Sequence, residues 1–216
     1  MKSNDRAVLF DLDGTLTDTL ADIAAAMNRA LERQGLPVWE TDAYRYLVGN
    51  GARTLAVRAV RDRQELLEPV LADYQQYYET HSRVLTRPYP GIPELLRSLA
   101  DRGIPCCVLS NKPDPDTKGV VKYYFPDIPF AFIQGQTNRF PLKPEPDAAL
   151  HIAEQLKIPP DRFFYLGDTA VDMTCAVRSG MHPVGVLWGF REKDELLGSG
   201  AEALLETPAD LLEMLD

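Results

Sequence analysis

Ala7-Val8-Leu9-Phe10-Asp11-Leu12-Asp13-Gly14-Thr15-Leu16-Thr17 runs from a short apolar stretch into two acids and a glycine. It reads as a buried strand that delivers carboxylates to a site. Side chains alternate faces along a strand, so Asp11 and Asp13 leave on one side while Leu12 points away. Gly14 lets the backbone turn with its amides exposed, and Thr15 adds a hydroxyl and another N–H, a set suited to a phosphate oxygen. A plain Asp-Gly hairpin turn accounts for Asp13 and Gly14 but leaves Asp11 without a reason.

Beyond Thr17 the pattern changes to helical spacing. Ile23, Met27, Ala30 and Leu31 share a face, and Gly35 with Pro37 stops the helix. Helical stretches follow around Thr41 to Val48, Arg53 to Arg61 and Glu65 to Tyr78, so residues from about Thr17 to Thr86 read as all-helical. Tyr74, Tyr77 and Tyr78 sit at helical spacing and read as packing between these helices. Arg87-Pro88-Tyr89-Pro90-Gly91 is a rigid connection. After it, helices alternate with short apolar runs as in a parallel sheet. The spacing predicts helices over Pro93 to Ala100, Pro146 to Lys157, Thr169 to Ser179 and Pro208 to Leu215. It predicts strands over Pro105 to Leu109, Phe130 to Ile133, Phe163 to Leu166, Val184 to Trp188 and Ala203 to Leu205.

Composition narrows the function. The 216 residues are 45% hydrophobic, enough for a packed core. Met1 to Arg6 lead straight into the first strand with no apolar signal region, and no apolar run reaches membrane-spanning length, so the cytoplasm is the expected location. Three cysteines, two of them adjacent (Cys106 and Cys107, with Cys175), fit neither a disulfide framework nor a metal cluster and read as reduced, packed thiols. A formal charge of -9 argues against nucleic acid, whose phosphates select basic surfaces, and leaves small anionic substrates open where cations gather. His81, His151 and His182 read as structural or surface residues. Trp188-Gly189-Phe190-Arg191, after a strand, reads as packing near a pocket. Oligomeric state is not readable from the sequence.

In open parallel sheets ligands bind beyond the carboxyl ends of the strands. Here those ends carry Asp11 and Asp13, then Ser110 and Asn111, then Gly167 and Asp168 with Asp172 one helical turn on; Lys143, stiffened by Pro144 and Pro146, lies between. Each has a plainer reading: a turn, a solvated lysine, a helix cap. Four independent accidents, each at a strand end and in this order, explain the set poorly.

The chain thereby resembles the haloacid dehalogenase superfamily, through Asp11-Leu12-Asp13-Gly14-Thr15, Ser110-Asn111, Lys143-Pro144 and Gly167-Asp168-Thr169-Ala170-Val171-Asp172. Within it the chain is similar to the phosphoglycolate phosphatases, through Val48-Gly49-Asn50-Gly51-Ala52-Arg53 and Arg87-Pro88-Tyr89-Pro90-Gly91. The resemblance spans essentially the whole chain. It implies an α/β fold, with a Rossmann-like parallel-sheet core (residues 1–16 and 87–216) split by an inserted all-helical cap domain (17–86).

The resemblance also implies a Mg²⁺-dependent phosphomonoesterase working through an aspartyl-phosphate on a small-molecule phosphate ester such as phosphoglycolate. Asp11 would be the nucleophile, Asp13 the acid and base, and Lys143 the third catalytic residue. Metal ligation would come from Asp11, the Asp13 backbone carbonyl, Asp168 and Asp172, the last through an ordered water. Gly14, Thr15, Ser110, Asn111 and Lys143 would hold the transferring oxygens. Gly49, Asn50, Gly51 and Arg53 would read the rest of the substrate, Arg53 meeting a carboxylate. Asp13 argues against carbon–halogen chemistry, and the absence of lysine from Thr17 to Thr86 argues against a Schiff-base cap. Pyrophosphate hydrolysis and phosphomutase action stay open, and a non-catalytic phosphate-binding module is disfavoured by the intact acid pair.

Overall fold

The computed structural model describes residues 6–216, so the reading of Met1 to Asp5 lies outside the described residues. β1 (Ala7–Phe10) is followed by a two-residue strand, β2 (Thr17–Asp18). Four helices come next: α1 (Leu20–Arg33), α2 (Tyr44–Leu47), α3 (Gly51–Ala59) and α4 (Leu67–His81). β3 (Arg87–Pro88) then pairs antiparallel with β2. The remainder alternates α5 (Ile92–Asp101), β4 (Cys106–Pro113), α6 (Asp114–Tyr124), β5 (Phe132–Gln136), α7 (Asp147–Leu156), β6 (Phe163–Gly167), α8 (Ala170–Ser179), β7 (His182–Val186), α9 (Lys193–Gly198), β8 (Ala203–Leu205) and α10 (Asp210–Leu215).

The main sheet has the order β5-β4-β1-β6-β7-β8, every pairing parallel. β1 lies inside it and is buried on both faces, which is why its sequence is continuously apolar rather than alternating. Parity assigns its side chains: Val8 and Phe10 join Cys106 and Val108 in a cluster with α5 and α10, while Ala7 and Leu9 join Cys107 and Leu109 against α7 and α8. The three cysteines are buried and unbridged. A third apolar cluster belongs to α1 through α4 and takes Phe190 from the sheet side. Among the described residues, no helix is long and apolar enough to cross a membrane.

The structure departs from the sequence reading in several places, among them α9, for which the sequence reading has no helix, and β5 and β7, whose bounds differ by about two residues at each end from those expected. The stretch from Thr17 opens with β2 rather than helix, and its pairing with β3 brings both crossings of the helical segment together. Asp22, in the first turn of α1, reinforces the join: its carboxylate accepts from the Val84, Leu85 and Thr86 amides and from the Thr86 hydroxyl at 2.8–3.0 Å. β4 runs four residues past Leu109, to Pro113. Finally, α6 was not foreseen, because only Thr117, Val120 and Val121 are buried on it and Gly119 interrupts its pattern. Pro115 and the acids Asp114 and Asp116 in its first turn are the local signals that start it.

Candidate active site

β1 hands the chain to β4 on one side and is flanked by β6 on the other, so the growth of the sheet reverses at β1 and leaves a crevice beyond the carboxyl ends of these strands. A cavity of about 350 Å³ opens there, between the strand ends and the helical segment. Asp11, Asp13, Ser110, Asn111 and Lys143 all line it, with Gly49 and Gly51 from the facing turn.

The turn after Asp13 is fixed by the backbone. The amides of Thr15, Leu16 and Thr17 all point to the Leu12 carbonyl, and that of Gly14 reaches the Thr17 carbonyl at 2.8 Å. Gly14 has φ 91°, and a Cβ there would lie 2.2 Å from an Asp168 carboxylate oxygen. Glycine is thus required twice over, by conformation and by the closeness of the acid.

Asp11 and Asp172 share one ammonium. Lys143 Nζ lies 2.8 Å from Asp11 and 2.7 Å from Asp172, and it also donates to the Leu109 carbonyl at 3.1 Å. Asn111 holds the lysine's backbone, its Oδ1 accepting from Lys143 N–H at 2.8 Å and its Nδ2 donating to the Lys143 carbonyl at 3.1 Å. Asp172 closes the capping box of α8, accepting from the Thr169 amide and hydroxyl. Asp168 accepts from the Thr15 hydroxyl at 3.2 Å and the Phe190 amide at 2.8 Å, both uncharged donors. One oxygen each from Asp11, Asp168 and Asp172 lies within 4.8 Å of the others.

Crowding three buried carboxylates has its electrostatic price. Burial, then Asp172, pushes the Asp11 carboxyl up to about 7 against the opposing pull of Lys143, and burial with Asp172 and Asp11 holds Asp168 well above the usual carboxylate range. Burial alone would lower the Lys143 ammonium, but Asp11 and Asp172 outweigh it and leave the group raised and charged.

Asp13 faces a different cation. Lys112 Nζ donates to both Asp13 oxygens at 2.8 and 2.9 Å and to the Tyr78 hydroxyl of α4 at 2.9 Å. Burial opposes the charge on Lys112, yet the facing Asp13 outweighs it and the Lys112 ammonium is raised. The Tyr78 phenol is held well above its ordinary value by burial and by Asp13, so it stays neutral and accepts from the ammonium. The sequence reading missed Lys112 because it stopped the strand at Leu109. Continued to Pro113, the strand's alternation places Ser110 and Lys112 on one side, and both line the cavity.

Other expected contacts go elsewhere. Thr15 is buried but gives its hydroxyl to Asp168, and the Gly14 and Thr15 amides are engaged within the turn, so none of these is presented to the cavity as the sequence suggested. Gly49 and Gly51 have φ 108° and 82° and form the expected turn, docked on the core by Asn111 Nδ2, which donates to the Gly49 carbonyl at 3.0 Å. Asn50, however, accepts from Arg58 at 2.8 Å. Arg53 points outward, exposed and paired with Glu68, because α3 turns Ala52 and Leu55 inward instead. The remaining wall comes from residues unread as site residues: Tyr74, Gln75, Tyr78 and Glu79, one face of α4, with Asp116 of α6 and Phe190. Trp188 packs instead against the apolar cluster of the sheet, its indole N–H donating to the Thr15 carbonyl at 3.0 Å. The three histidines lie outside the cavity lining.

This arrangement has counterparts. A phosphoglycolate phosphatase of Aquifex aeolicus is 31% identical over 213 residues, covering 98% of this chain and 97% of the relative. An N-acetylmuramic acid 6-phosphate phosphatase of Pseudomonas aeruginosa is 31% identical over 217 residues, covering 98% and 95%. Among solved structures, a hydrolase from Pseudomonas syringae matches with a TM-score of 0.80 at 29% identity, over 98% of this chain and 97% of its own. A protein from Lactobacillus delbrueckii subsp. bulgaricus reaches a TM-score of 0.92 at 29% identity, over 97% and 98%. The model of the haloacid dehalogenase-like hydrolase family matches residues 8–186, a stretch that begins in the strand carrying Asp11 and includes every charged group described above. The acids, the two lysines and the sheet that orders them therefore place this chain in the haloacid dehalogenase-like hydrolase family.

Proposed function

We propose that the protein is a Mg²⁺-dependent phosphomonoesterase in which Asp11 is the nucleophile and Asp13 the general acid and base. The observation that carries this reading is the division of labour between two acids two residues apart: Asp11 is held by Lys143, Asp13 by Lys112, and both face one cavity. Asp11 attacks phosphorus as the bond to the alcohol oxygen breaks, giving an aspartyl-phosphate, and Asp13 supplies the proton that the departing oxygen needs. Asp13 then takes a proton from the water that hydrolyses the acyl phosphate. Lys143 and the Ser110 hydroxyl hold the transferring oxygens, and Asp172 keeps Lys143 in place.

The donor set fits a hard dication: three buried carboxylates within reach of one another, with Asp168 bonded only to neutral donors. Asp11 and Asp168, with the Asp13 backbone carbonyl, would hold it, and Asp172 would stand behind through Lys143. When bound, Mg²⁺ draws charge from the phosphoryl oxygens, which lowers their repulsion of an attacking carboxylate. We assign residues 17–86 as the cap over a core of residues 1–16 and 87–216, with the Gly49–Asn111 contact as its seat. The names of the relatives support a phosphatase reading, and glycolate and an amino-sugar acid bracket the leaving groups those names imply.

The test is hydrolysis of p-nitrophenyl phosphate with and without Mg²⁺, together with acid-stable capture of phosphate on the protein. Turnover is expected to vanish on chelation and return with Mg²⁺, and Asp11→Asn is expected to abolish both turnover and capture. Turnover by Asp11→Asn close to wild type would overturn the assignment.

A further inference from the structure

The cavity is built unevenly. Its phosphoryl end holds both cations of the lining, Lys112 and Lys143, each already facing carboxylate. The rest of its lining is apolar and aromatic, from Ile23, Leu55, Tyr74 and Phe190, with Gln75 and Glu79 of α4 and with Asp116 of α6, which lies within electrostatic reach of Lys112 and Asp13. Among the described residues no arginine lines it: Arg53 is paired outside with Glu68, and Arg58 is committed to the Leu47 carbonyl and Asn50. Four carboxylates thus stand on the wall against two ammonium groups.

From this arrangement we infer that the leaving group is a neutral, polyhydroxylated alcohol rather than a hydroxy acid, an inference that rests on the phosphomonoesterase reading above. Carboxylate oxygens accept hydrogen bonds, so Glu79 asks the ligand for donors, as does Asp116, whose carboxyl burial raises against the opposing pull of Lys112. Hydroxyls supply donors, whereas a substrate carboxylate supplies none and meets like charge where both lining lysines already face carboxylates. An ammonium would bring donors too, but Lys112 already sits over the Tyr78 ring, 4.8 Å from its centroid, and would repel a second cation. Volume agrees: about 350 Å³ falls in the range of cavities that enclose whole metabolites, well beyond a two-carbon acid and its phosphate. The aromatic wall suits the C–H face of a sugar-like ligand.

The experiment compares kcat/KM with Mg²⁺ for phosphoglycolate, 3-phosphoglycerate, glycerol 3-phosphate, phosphoethanolamine and a hexose 6-phosphate, with p-nitrophenyl phosphate as reference. Glycerol 3-phosphate and 3-phosphoglycerate form the matched pair, alike in length and differing by the carboxylate. The neutral member is expected to be favoured about tenfold, the hexose phosphate to equal or exceed it, and phosphoethanolamine to fall below it. The double variant Glu79→Gln, Asp116→Asn is expected to shrink the matched-pair ratio by about two- to fivefold, as expected for one exposed and one half-buried charge. A wild-type preference for either acid, an unchanged ratio in the variant, or phosphoethanolamine as the best substrate would each overturn the inference while leaving the phosphatase reading standing. Failure to hydrolyse any ester, the aryl phosphate included, would instead remove the reading on which it rests.

Discussion

The sheet end of the cavity and its helical wall are built by opposite means. At the sheet end the groups around Lys143 are buried and tied to backbone: Lys143 to the Leu109 carbonyl, Asn111 to both polar atoms of the Lys143 peptide, Asp172 to the Thr169 amide. On the helical side the wall consists of side chains projecting from α1, α3 and α4, backed by an apolar cluster of their own, and its polar groups are few: the Tyr78 hydroxyl on Lys112, with Gln75 and Glu79. Bond-making groups must be held to a fraction of an ångström, and backbone supplies that fixity. A wall that only selects the leaving group can be altered one side chain at a time without disturbing the sheet.

That contrast makes ordered predictions. Among the cations, Lys143→Met should be the most damaging, lowering kcat on p-nitrophenyl phosphate by about 10²–10³-fold, the usual loss for one donor to a transition-state oxygen. It should also lower the melting temperature, because Asp11 and Asp172 lose their shared counter-charge in a buried place. A variant near wild type in both rate and melting would break the comparison at its stronger end.

Lys112→Met comes next. Asp13 loses the group that fixes both its oxygens, so an alkyl phosphate, which needs its leaving oxygen protonated, should lose about tenfold more rate than the aryl ester, and Lys112→Arg should recover part of the difference. Equal losses on both esters would separate Lys112 from the acid. The smallest effect belongs to Arg53→Ala: its exposed pair with Glu68 is screened by water, and kcat/KM should stay within about twofold on every ester, phosphoglycolate included. A selective loss on phosphoglycolate would place Arg53 back over the substrate and blur the line between the two walls.

Legibility followed the same divide. Asp11, Asp13, Ser110, Asn111, Lys143, Asp168 and Asp172 stood at predicted strand ends or beside them, and the parallel sheet brings strand ends together wherever they fall in sequence. Nothing comparable fixes a helix face against a distant strand. Tyr74 and Tyr78 were read as packing, and they do stack, 5.3 Å between centroids, yet the same residues line the cavity; periodicity reveals that a face is buried, not what it is buried against. Arg53 was readable as a cation beside a glycine turn, but its rotation about α3 toward Glu68 depends on how α3 meets α4. α6 went unseen because a half-exposed helix with a central glycine carries little pattern.

The ribbon of β2 and β3 bears on how such a chain accommodates its own length. Residues 19–86 form an excursion whose two ends are joined rung to rung, Thr17 opposite Pro88 and Asp18 opposite Arg87, with Asp22 bonded across to Val84 and Thr86 just before the returning strand. Closing a loop costs entropy that grows only with the logarithm of its length, about 4 kcal/mol for one of this size before a constant shared by short loops. To the sheet, therefore, the whole helical excursion is topologically a hairpin loop. Segments within it can lengthen, shorten or be exchanged while the ribbon, and with it the register of β1 against β4 and β6, stays as it is.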